Sequence, residues 1–322
     1  MPLLSLLLPT YNQLPVFQNL IHLVLDEKAN ENPDMEIIVS NNCSPDGTKD
    51  FLDGLRAEGV SVYHQPRNLG LVGNLRFLGD KANGKYCWFL GDNDIYNPGI
   101  FTSVLNLLKE TEGKKIGHYY LNYSYYRGEE RQETPTYRGA GGFYADGFDM
   151  FADVSAGHML GALMFISANI YRADIVRAVN GIVRNCHEEE NLALPLGYSV
   201  LAADFPGYVL TDTLVKNEAS SSSSSWAGRE TQVYSRDMIA IHDLCAQAGR
   251  NYARHKALIL RDTRFAYPEW KYAIKGRKFP YSNYAMDFYR KNAPLRILED
   301  ALTFPFWSLY YLLTHKILRR KP

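Results

Sequence analysis

Four short apolar runs, separated by segments with helical periodicity, constrain the fold of this chain more than any other feature. The runs over residues 3–8, 35–39, 60–63 and 86–90 have the length and composition of strands that are buried on both faces. Between them, apolar residues recur at the spacing of an amphipathic helix, most clearly over residues 14–25. Strands that alternate with helices in this way predict an α/β fold built on a doubly wound, mostly parallel sheet.

Composition and charge narrow the classes of partner. The 322 residues are 46% hydrophobic, which is ample for a packed core, and 35 basic residues balance 35 acidic ones. This balance argues against nucleic acid as a partner, because the chain has no net positive charge to attract the phosphate backbone. The four cysteines show no metal-ligand spacing, and the apolar N-terminus lacks the basic start of a signal peptide. We therefore expect a reducing, cytoplasmic location.

Three polar loops follow predicted strands, over residues 10–13, 40–48 and 91–97. Open α/β sheets bind ligands beyond the carboxyl ends of their strands, so one crevice is expected to gather these loops. No GxGxxG motif follows the first strand and the sequence contains no P-loop. Phosphate groups in this crevice would therefore need a metal ion to hold them.

Two carboxylates, Asp92 and Asp94, directly follow the apolar run over residues 86–90. If the chain stays extended there, residues two apart point the same way, and both carboxylates face one point. Such a pair suits Mg²⁺ or Mn²⁺, which takes one or two protein carboxylates and completes its shell with phosphate and water. The alternative is an ordinary polar turn, because Gly91 and Asn93 are common turn residues.

The second half of the sequence is less regular. The tyrosine-rich residues 116–128 predict a strand, and the glycine-rich residues 139–147 predict a loop. Residues 161–170 are interpreted as a buried strand or helix start, followed by a helix over 170–179. Residues 188–190 are three glutamates that precede an apolar run, an arrangement that the dipole at the head of a helix favours.

The pattern divides the chain into a sheet domain over residues 1–215, a serine-rich segment over 216–230 and a helical C-terminal region over 231–322. The serine-rich segment is a linker, or else a lid that brings Trp226 over a ligand.

The last thirty residues combine aromatic, aliphatic and basic side chains but are too interrupted to form a transmembrane helix. They predict an amphipathic helix lying in the plane of a membrane surface, and the alternative is a packing helix with a solvated basic tail. The aromatic and basic residues of this predicted anchor are Trp307, Tyr310, Tyr311, Lys316, Arg319, Arg320 and Lys321.

Five motifs occur in a characteristic order: PTYN, EIIVSNNCSPDGT, NLGLVGN, ANGKYCWFLGDND and the later acidic cluster. Through them, about the first 215 residues resemble family 2 glycosyltransferases of the GT-A fold. Within that family, FLGDND and FISANIYRADI are most similar to the bacterial abequosyltransferase-like branch of surface-polysaccharide enzymes.

The resemblance implies a nucleotide-sugar donor and a divalent cation, Mn²⁺ or Mg²⁺. It assigns Asp94 to the cation, and Asp92 to the cation or to the ribose and sugar of the donor. Without the other motifs, Tyr11 would be interpreted as an ordinary loop aromatic and Arg67 as a solvated side chain. The residues expected to line the donor are Pro9, Thr10, Tyr11, Asn12, Asn41, Asn42, Arg67, Asn68, Asp92 and Asn93.

The acidic cluster is similar to the family's catalytic segment, in which two acids are followed three residues later by leucine. Glu188, Glu189 and Leu192 fit this register. Glu189 is therefore the candidate general base for an inverting transfer, and Glu188 and Glu190 remain alternatives. The other interpretation is a solvated acidic helix start.

One departure from the family concerns the nucleobase. The family often carries acidic residues where this chain has Asn41 and Asn42, and an amide can donate as well as accept a hydrogen bond. Asn41 would therefore tolerate cytosine, which suggests a CDP-linked donor. The alternative is that the asparagine only shapes its loop.

These features lead to an inverting, metal-dependent glycosyltransferase that works on a polyprenyl-linked saccharide at the inner face of the cytoplasmic membrane, in O-antigen or capsule synthesis. Two alternatives remain open. One is a nucleotidyltransferase on a similar sheet, and the other is a noncatalytic nucleotide-sugar-binding partner of polysaccharide assembly.

Overall fold

The structure is a computed structural model of the whole chain. Predictions about Trp226 and about the aromatic and basic residues of the C-terminal anchor fall outside the described residues. The structure describes residues 1–27, 29, 31–126, 134–156, 160–218, 229, 232–262, 288, 290–295, 302, 306 and 309.

Ten strands and nine α-helices are defined within the described part of the chain. The strands are β1 (Leu4–Thr10), β2 (Met35–Asn41), β3 (Ser61–His64), β4 (Tyr86–Phe89), β5 (Asp94–Tyr96), β6 (His118–Tyr126), β7 (Thr134–Pro135), β8 (Gly142–Tyr144), β9 (Asn169–Arg172) and β10 (Gly207–Glu218). The helices are α1 (Leu14–Asp26), α2 (Thr48–Gly54), α3 (Gly70–Lys81), α4 (Ile100–Glu110), α5 (Gly147–Ala156), α6 (Ala173–Asn185), α7 (Leu194–Ala202), α8 (Met238–Ala248) and α9 (Tyr252–Asp262).

All the strands belong to one sheet with the order β3-β2-β1-β4-β9-β6-β10-β5, and β7 and β8 are attached to β6 and β10. The four strands predicted from the apolar runs are mutually parallel neighbours. Beyond β4 the sheet is mixed, because β9 is antiparallel to both β4 and β6 while β10 is parallel to β6. The α/β prediction is confirmed, but the sheet is mixed rather than mostly parallel.

Strand β4 lies near the middle of the sheet and is buried on both faces. Successive side chains of a strand point to opposite faces. The ring of Trp88 packs on Phe101 of α4, with centroids 5.6 Å apart, and the ring of Phe89 stacks on Tyr198 of α7 at 5.9 Å. Helices therefore cover both faces of the sheet, which confirms the doubly wound arrangement.

Two predictions for the second half of the chain are wrong in detail. The glycine-rich residues 139–147 are not only a loop, because β8 lies within them and pairs with β10. The predicted helix over 170–179 begins later, at Ala173, because residues 169–172 form β9 between β4 and β6. In both places, pairing with a strand that is distant in sequence decides the local structure.

The C-terminal region begins by packing on the sheet domain. β10 continues through residues 216–218, so the first three residues of the predicted linker belong to the sheet. Ile241 and Cys245 of α8 are fully buried in the same core as the sheet, where both lie against Gly197 of α7. Among the residues that the structure describes, no helix is long and apolar enough to cross a membrane.

Candidate functional site

The predicted polar loops meet at one edge of the sheet and are joined there by hydrogen bonds. Asn42 donates to Asn68 Oδ1 over 2.9 Å, and the Asn12 amide donates to Ser44 Oγ over 2.9 Å. The Thr10 hydroxyl donates to Asp92 Oδ2 over 3.1 Å. The loops after β1, β2, β3 and β4 thus form one continuous polar edge, as the prediction of a single crevice requires.

The two aspartates reach this edge by a route that differs from the prediction. The chain does not stay extended after β4 but turns at Asp92 and Asn93, and the amide of Asp94 donates to the carbonyl of Gly91 over 3.5 Å. Asp94 then begins β5, which pairs with β10. The polar-turn interpretation is therefore correct for the backbone, and both carboxylates remain half-buried at the edge.

Asp94 is held by residues from two distant segments. Ser167 Oγ donates to Asp94 Oδ2 over 2.5 Å, and Asn217 Nδ2 donates to Asp94 Oδ1 over 3.0 Å. Ser167 is itself fixed, because its Oγ accepts hydrogen bonds from the Gly91 amide and the Tyr96 hydroxyl, both 2.9 Å long. The orientation of the Asp94 carboxylate is therefore set by its surroundings.

Burial shifts the ionisation of both aspartates. It raises the pKa of Asp92 to about 6, against a smaller lowering by the hydrogen bond from Thr10. Burial raises the pKa of Asp94 to about 7, against a lowering by the hydrogen bonds from Ser167 and Asn217 and with a smaller contribution from the charge of Asp92. Two carboxylates that resist ionisation together mark a place where a cation would relieve the unfavourable charge.

The donor set fits a hard divalent cation. Asp92 and Asp94 offer only oxygen ligands, which Mg²⁺ and Mn²⁺ prefer. Within the described residues, no group of three or more His, Cys, Asp or Glu side chains could hold a metal by itself. The protein would thus supply two carboxylates, and the remaining ligands would come from a diphosphate and water.

The side chain of Asn41 is engaged inside its own loop. Asn41 Oδ1 accepts from the Ser44 amide over 2.9 Å, and Asn41 Nδ2 lies 3.3 Å from His64 Nδ1. His64 Nε2 lies 3.0 Å from Asp53 Oδ1, which orients the imidazole. One of the two N–H donors of Asn41 is thus directed at His64, and the cytidine donor stays a prediction.

The side chain of Asn42 also makes its hydrogen bonds within the loops. Its Nδ2 donates to Asn68 Oδ1 and to the carbonyl of Gly70, and its Oδ1 accepts from the Leu69 amide over 2.8 Å. The side chain is buried, with 3% of its surface exposed. Asn42 is therefore a clamp between the loops that follow β2 and β3.

The other residues predicted to line the donor differ in their exposure. Pro9 and Thr10 are buried as the last residues of β1, so the strand passes through the proline. Tyr11 is 45% exposed and available for stacking on a base. Asn12 is exposed with a φ of 53°, a conformation that asparagine tolerates. Arg67, Asn68 and Asn93 are exposed at the same edge.

The acidic cluster follows a helix instead of starting one. His187 adopts a φ of 55° directly after α6, and the amide of Glu188 donates to the carbonyl of Val183 over 2.8 Å. This is a Schellman motif, which ends α6 and reverses the chain. The prediction that the glutamates head a helix is wrong, because α7 begins only at Leu194.

Helix α6 returns the chain to the carboxyl edge of the sheet. It begins after Arg172, which pairs with Tyr86 at the start of β4. It then runs antiparallel to α3, with Arg177 donating to the carbonyl of Ala82 and Asn180 to that of Arg76. The acidic cluster therefore lies at the same edge of the sheet as the carboxyl end of β4.

The three glutamates differ in their partners. Both carboxylate oxygens of Glu188 accept hydrogen bonds from Arg236, at 2.8 and 3.0 Å, and Asn191 also donates to Glu188. Glu190 is exposed. Glu189 is half-buried and makes no hydrogen bond or ion pair with any residue that the structure describes. Its carboxylate is thus the one available to accept a proton within a partly enclosed setting.

Sequence reasoning missed four residues that shape the site. Ser167 and Asn217 bind Asp94, and Arg236 binds both Glu188 and Asp237. Asp237 is fully buried and accepts from the Leu192 amide over 3.1 Å, which anchors the acidic loop. No local sequence pattern gives these residues a role in the site. Each of them binds a partner that is distant in sequence or lies in an irregular segment.

The sheet, its crevice and the paired aspartates define a protein of the GT-A glycosyltransferase fold. The structure is similar to that of residues 1–349 of S. aureus TarS in complex with UDP-GlcNAc, with a TM-score of 0.61. The similarity covers 97% of this chain and 87% of that chain at 16% sequence identity, so it concerns the fold alone.

Sequence comparison then gives the family that this chain resembles. Residues 5–156, slightly less than half of the chain, match the model of glycosyl transferase family 2. Over 95 residues the chain is 32% identical to abequosyltransferase RfbV of Salmonella typhimurium, covering 29% of this chain and 28% of that protein. The expected resemblance to family 2, including an abequosyltransferase, is confirmed.

A second relative comes from Campylobacter jejuni. Over 121 residues the chain is 28% identical to the GalNAc(5)-diNAcBac-PP-undecaprenol beta-1,3-glucosyltransferase of that organism. This match covers 37% of the chain and 38% of the relative. The chain thus matches well under half of the length of these two curated relatives.

Replacing Asn42 by alanine tests the clamp between the loops. The variant leaves the Leu69 amide without its partner, and an unsatisfied buried donor costs about 2 kcal/mol. We expect a loss of that size in the free energy of unfolding, measured by urea denaturation. Asn93→Ala, at an exposed turn position, is the control and should change stability by less than about 0.5 kcal/mol. Equal effects of the two substitutions would contradict the clamp.

Proposed function

We propose that this chain is a metal-dependent, inverting glycosyltransferase that transfers a sugar from a nucleoside-diphosphate sugar to a polyprenyl-linked saccharide during bacterial surface-polysaccharide synthesis. The observation that carries the proposal is the meeting of Asp92 and Asp94 with the loops after β1, β2 and β3 at one polar edge. The match of residues 5–156 to the family 2 model supports it.

The donor occupies the crevice between these loops. Tyr11 stacks on the nucleobase, because it is the exposed aromatic side chain of the loop after β1. Arg67 makes no ion pair with the described residues and is free to approach the diphosphate. Asp92 and Asp94 hold Mn²⁺ or Mg²⁺. The cation, when bound, offsets the negative charge that develops on the leaving nucleoside diphosphate.

Glu189 is the general base. It accepts the proton of an acceptor hydroxyl while the hydroxyl oxygen forms its bond to the anomeric carbon. The bond between that carbon and the diphosphate oxygen breaks on the opposite face, so the anomeric configuration inverts. Arg236 neutralises Glu188 beside it. Among the described residues neither Glu189 nor Glu190 has a partner, and Glu189 is the half-buried one of the two.

Exposed apolar side chains near the C-terminus support the proposal of a lipid-linked acceptor. Leu302, Phe306 and Leu309 are helical, and 64%, 75% and 56% of their surfaces are exposed. Their spacing of four and three residues in the sequence is that of one face of an amphipathic helix. This face would lie on the membrane that carries the acceptor, with the protein peripheral to its inner surface.

Replacing each glutamate by glutamine tests the assignment of the base. We expect Glu189→Gln to lower kcat for transfer by about 10²-fold or more with little change in donor binding, because the amide cannot accept the proton. Glu190→Gln is the matched control and should stay near wild-type activity. Glu188→Gln should lower stability through its pairing with Arg236. Three fully active variants would refute a base in this loop.

A thermal-shift panel tests the donor and the cation together. We expect UDP, CDP or GDP to raise Tm more with Mn²⁺ or Mg²⁺ than with EDTA, since a ligand at 100 times its Kd stabilises by about 2.7 kcal/mol. Asp94→Ala should remove the metal-dependent part of the shift. The ranking of UDP against CDP identifies the base. A nucleotide shift that is unaffected by metal would contradict the metal-dependent donor site.

Liposome sedimentation tests the membrane surface. Truncation after Pro294, or Phe306→Asp alone, should reduce binding to anionic liposomes, because the apolar face is lost or carries a charge. The matched control is Phe143→Asp, which alters another exposed aromatic residue, on β8. Unchanged sedimentation of the truncated chain would exclude this mode of membrane association.

A further inference from the structure

We propose that Asn217 and Ser167 are positioning residues that hold the Asp94 carboxylate in the orientation required by the cation. The proposal rests on the function proposed above and adds two residues that do not themselves touch donor or cation. Asn217 belongs to no motif named in the sequence, and Ser167 lies in FISANIYRADI, which indicated the family branch but no role in the site.

The two hydrogen bonds fix the carboxylate from both sides. Asn217 donates to Oδ1 and Ser167 donates to Oδ2 of Asp94. Each ionised carboxylate oxygen has two lone pairs, so one on each oxygen remains for an incoming ligand. With one donor on each oxygen, the plane of the carboxylate cannot rotate without breaking a bond.

Further hydrogen bonds hold Ser167 in the orientation in which it donates to Asp94. Its backbone carbonyl accepts from Trp88 Nε1 over 2.9 Å, and its Oγ accepts from Gly91 and Tyr96. The proton of the Ser167 hydroxyl goes to Asp94 Oδ2, because an ionised carboxylate can only accept a hydrogen bond and the two oxygens lie 2.5 Å apart. Ser167 is fully buried, so water does not compete for these bonds.

A bulge in β10 brings Asn217 to Asp94. Residues 211–214 of β10 stand opposite a single residue of β6, Asn122. Asn122 donates to the carbonyl of Thr211 over 2.9 Å, and Asn97 donates to that of Thr213 over 3.2 Å. After the bulge, Asn217 pairs with Asp94 in the antiparallel ladder between β10 and β5. Bulges that re-aim side chains are common beside active sites.

Partners that orient a metal ligand strongly affect affinity, and their loss typically weakens metal binding by about 10- to 100-fold. The effect of Asn217 on metal binding is easier to measure separately than that of Ser167. Replacing Ser167 would also strand the Gly91 amide, whereas in the described structure Asn217 bonds only to Asp94 through its side chain.

The test measures the Kd of Asn217→Leu for Mn²⁺ in the presence of UDP or CDP. The electron paramagnetic resonance signal of free Mn²⁺ reports the binding. Leucine keeps the size of asparagine but donates no hydrogen bond. We expect the Kd for Mn²⁺ to rise about tenfold and kcat to recover at saturating Mn²⁺. Asp212→Ala, at an exposed position of the same strand, is the control and should bind Mn²⁺ like the wild type.

A double-mutant cycle separates positioning from a general structural effect. In an Asp94→Asn background, Asn217→Leu should cause no further change in Mn²⁺ affinity, because Asn217 acts through Asp94. An additive loss in the double variant, or wild-type affinity in Asn217→Leu alone, overturns this inference and leaves the proposed function standing. A wild-type protein that binds no Mn²⁺ with either nucleotide overturns both.

Discussion

The burial of β4 on both faces is the constraint on which the site depends. Tyr86, Cys87 and Trp88 have no exposed surface and Phe89 has 1%. Full burial of a large apolar side chain contributes about 1.5–3 kcal/mol. The strand is therefore anchored well enough that the turn after it, with Asp92 and Asp94, stands at a defined place on the edge of the sheet.

The polar edge is built from hydrogen bonds that cross between loops. Asn42 and Asn12 connect the loops after β1, β2 and β3, and Thr10 connects them to Asp92. These bonds hold half-buried carboxylates that resist ionisation in the absence of a cation. A cation at this place would relieve the repulsion between the two carboxylates, because an opposite charge nearby favours their ionised form.

The strands β1, β2 and β4 could be predicted because a strand buried on both faces needs an unbroken apolar run. The crevice could be predicted because the carboxyl ends of parallel strands share an edge. β8 and β9 could not be predicted in the same way. Each is only three or four residues long and forms through antiparallel pairing with a distant strand, so its own pattern carries little information.

The sequence by itself determined the α/β architecture, the edge that carries the site and the presence of Asp92, Asp94 and the three glutamates. Only the tertiary structure decided their partners: Arg236 pairs with Glu188, Glu189 has no partner among the described residues, and Asn217 reaches Asp94 across 123 positions of sequence. The physical reason is that apolar periodicity is a local property, whereas the partner of a hydrogen bond or an ion pair is known only once the chain has folded.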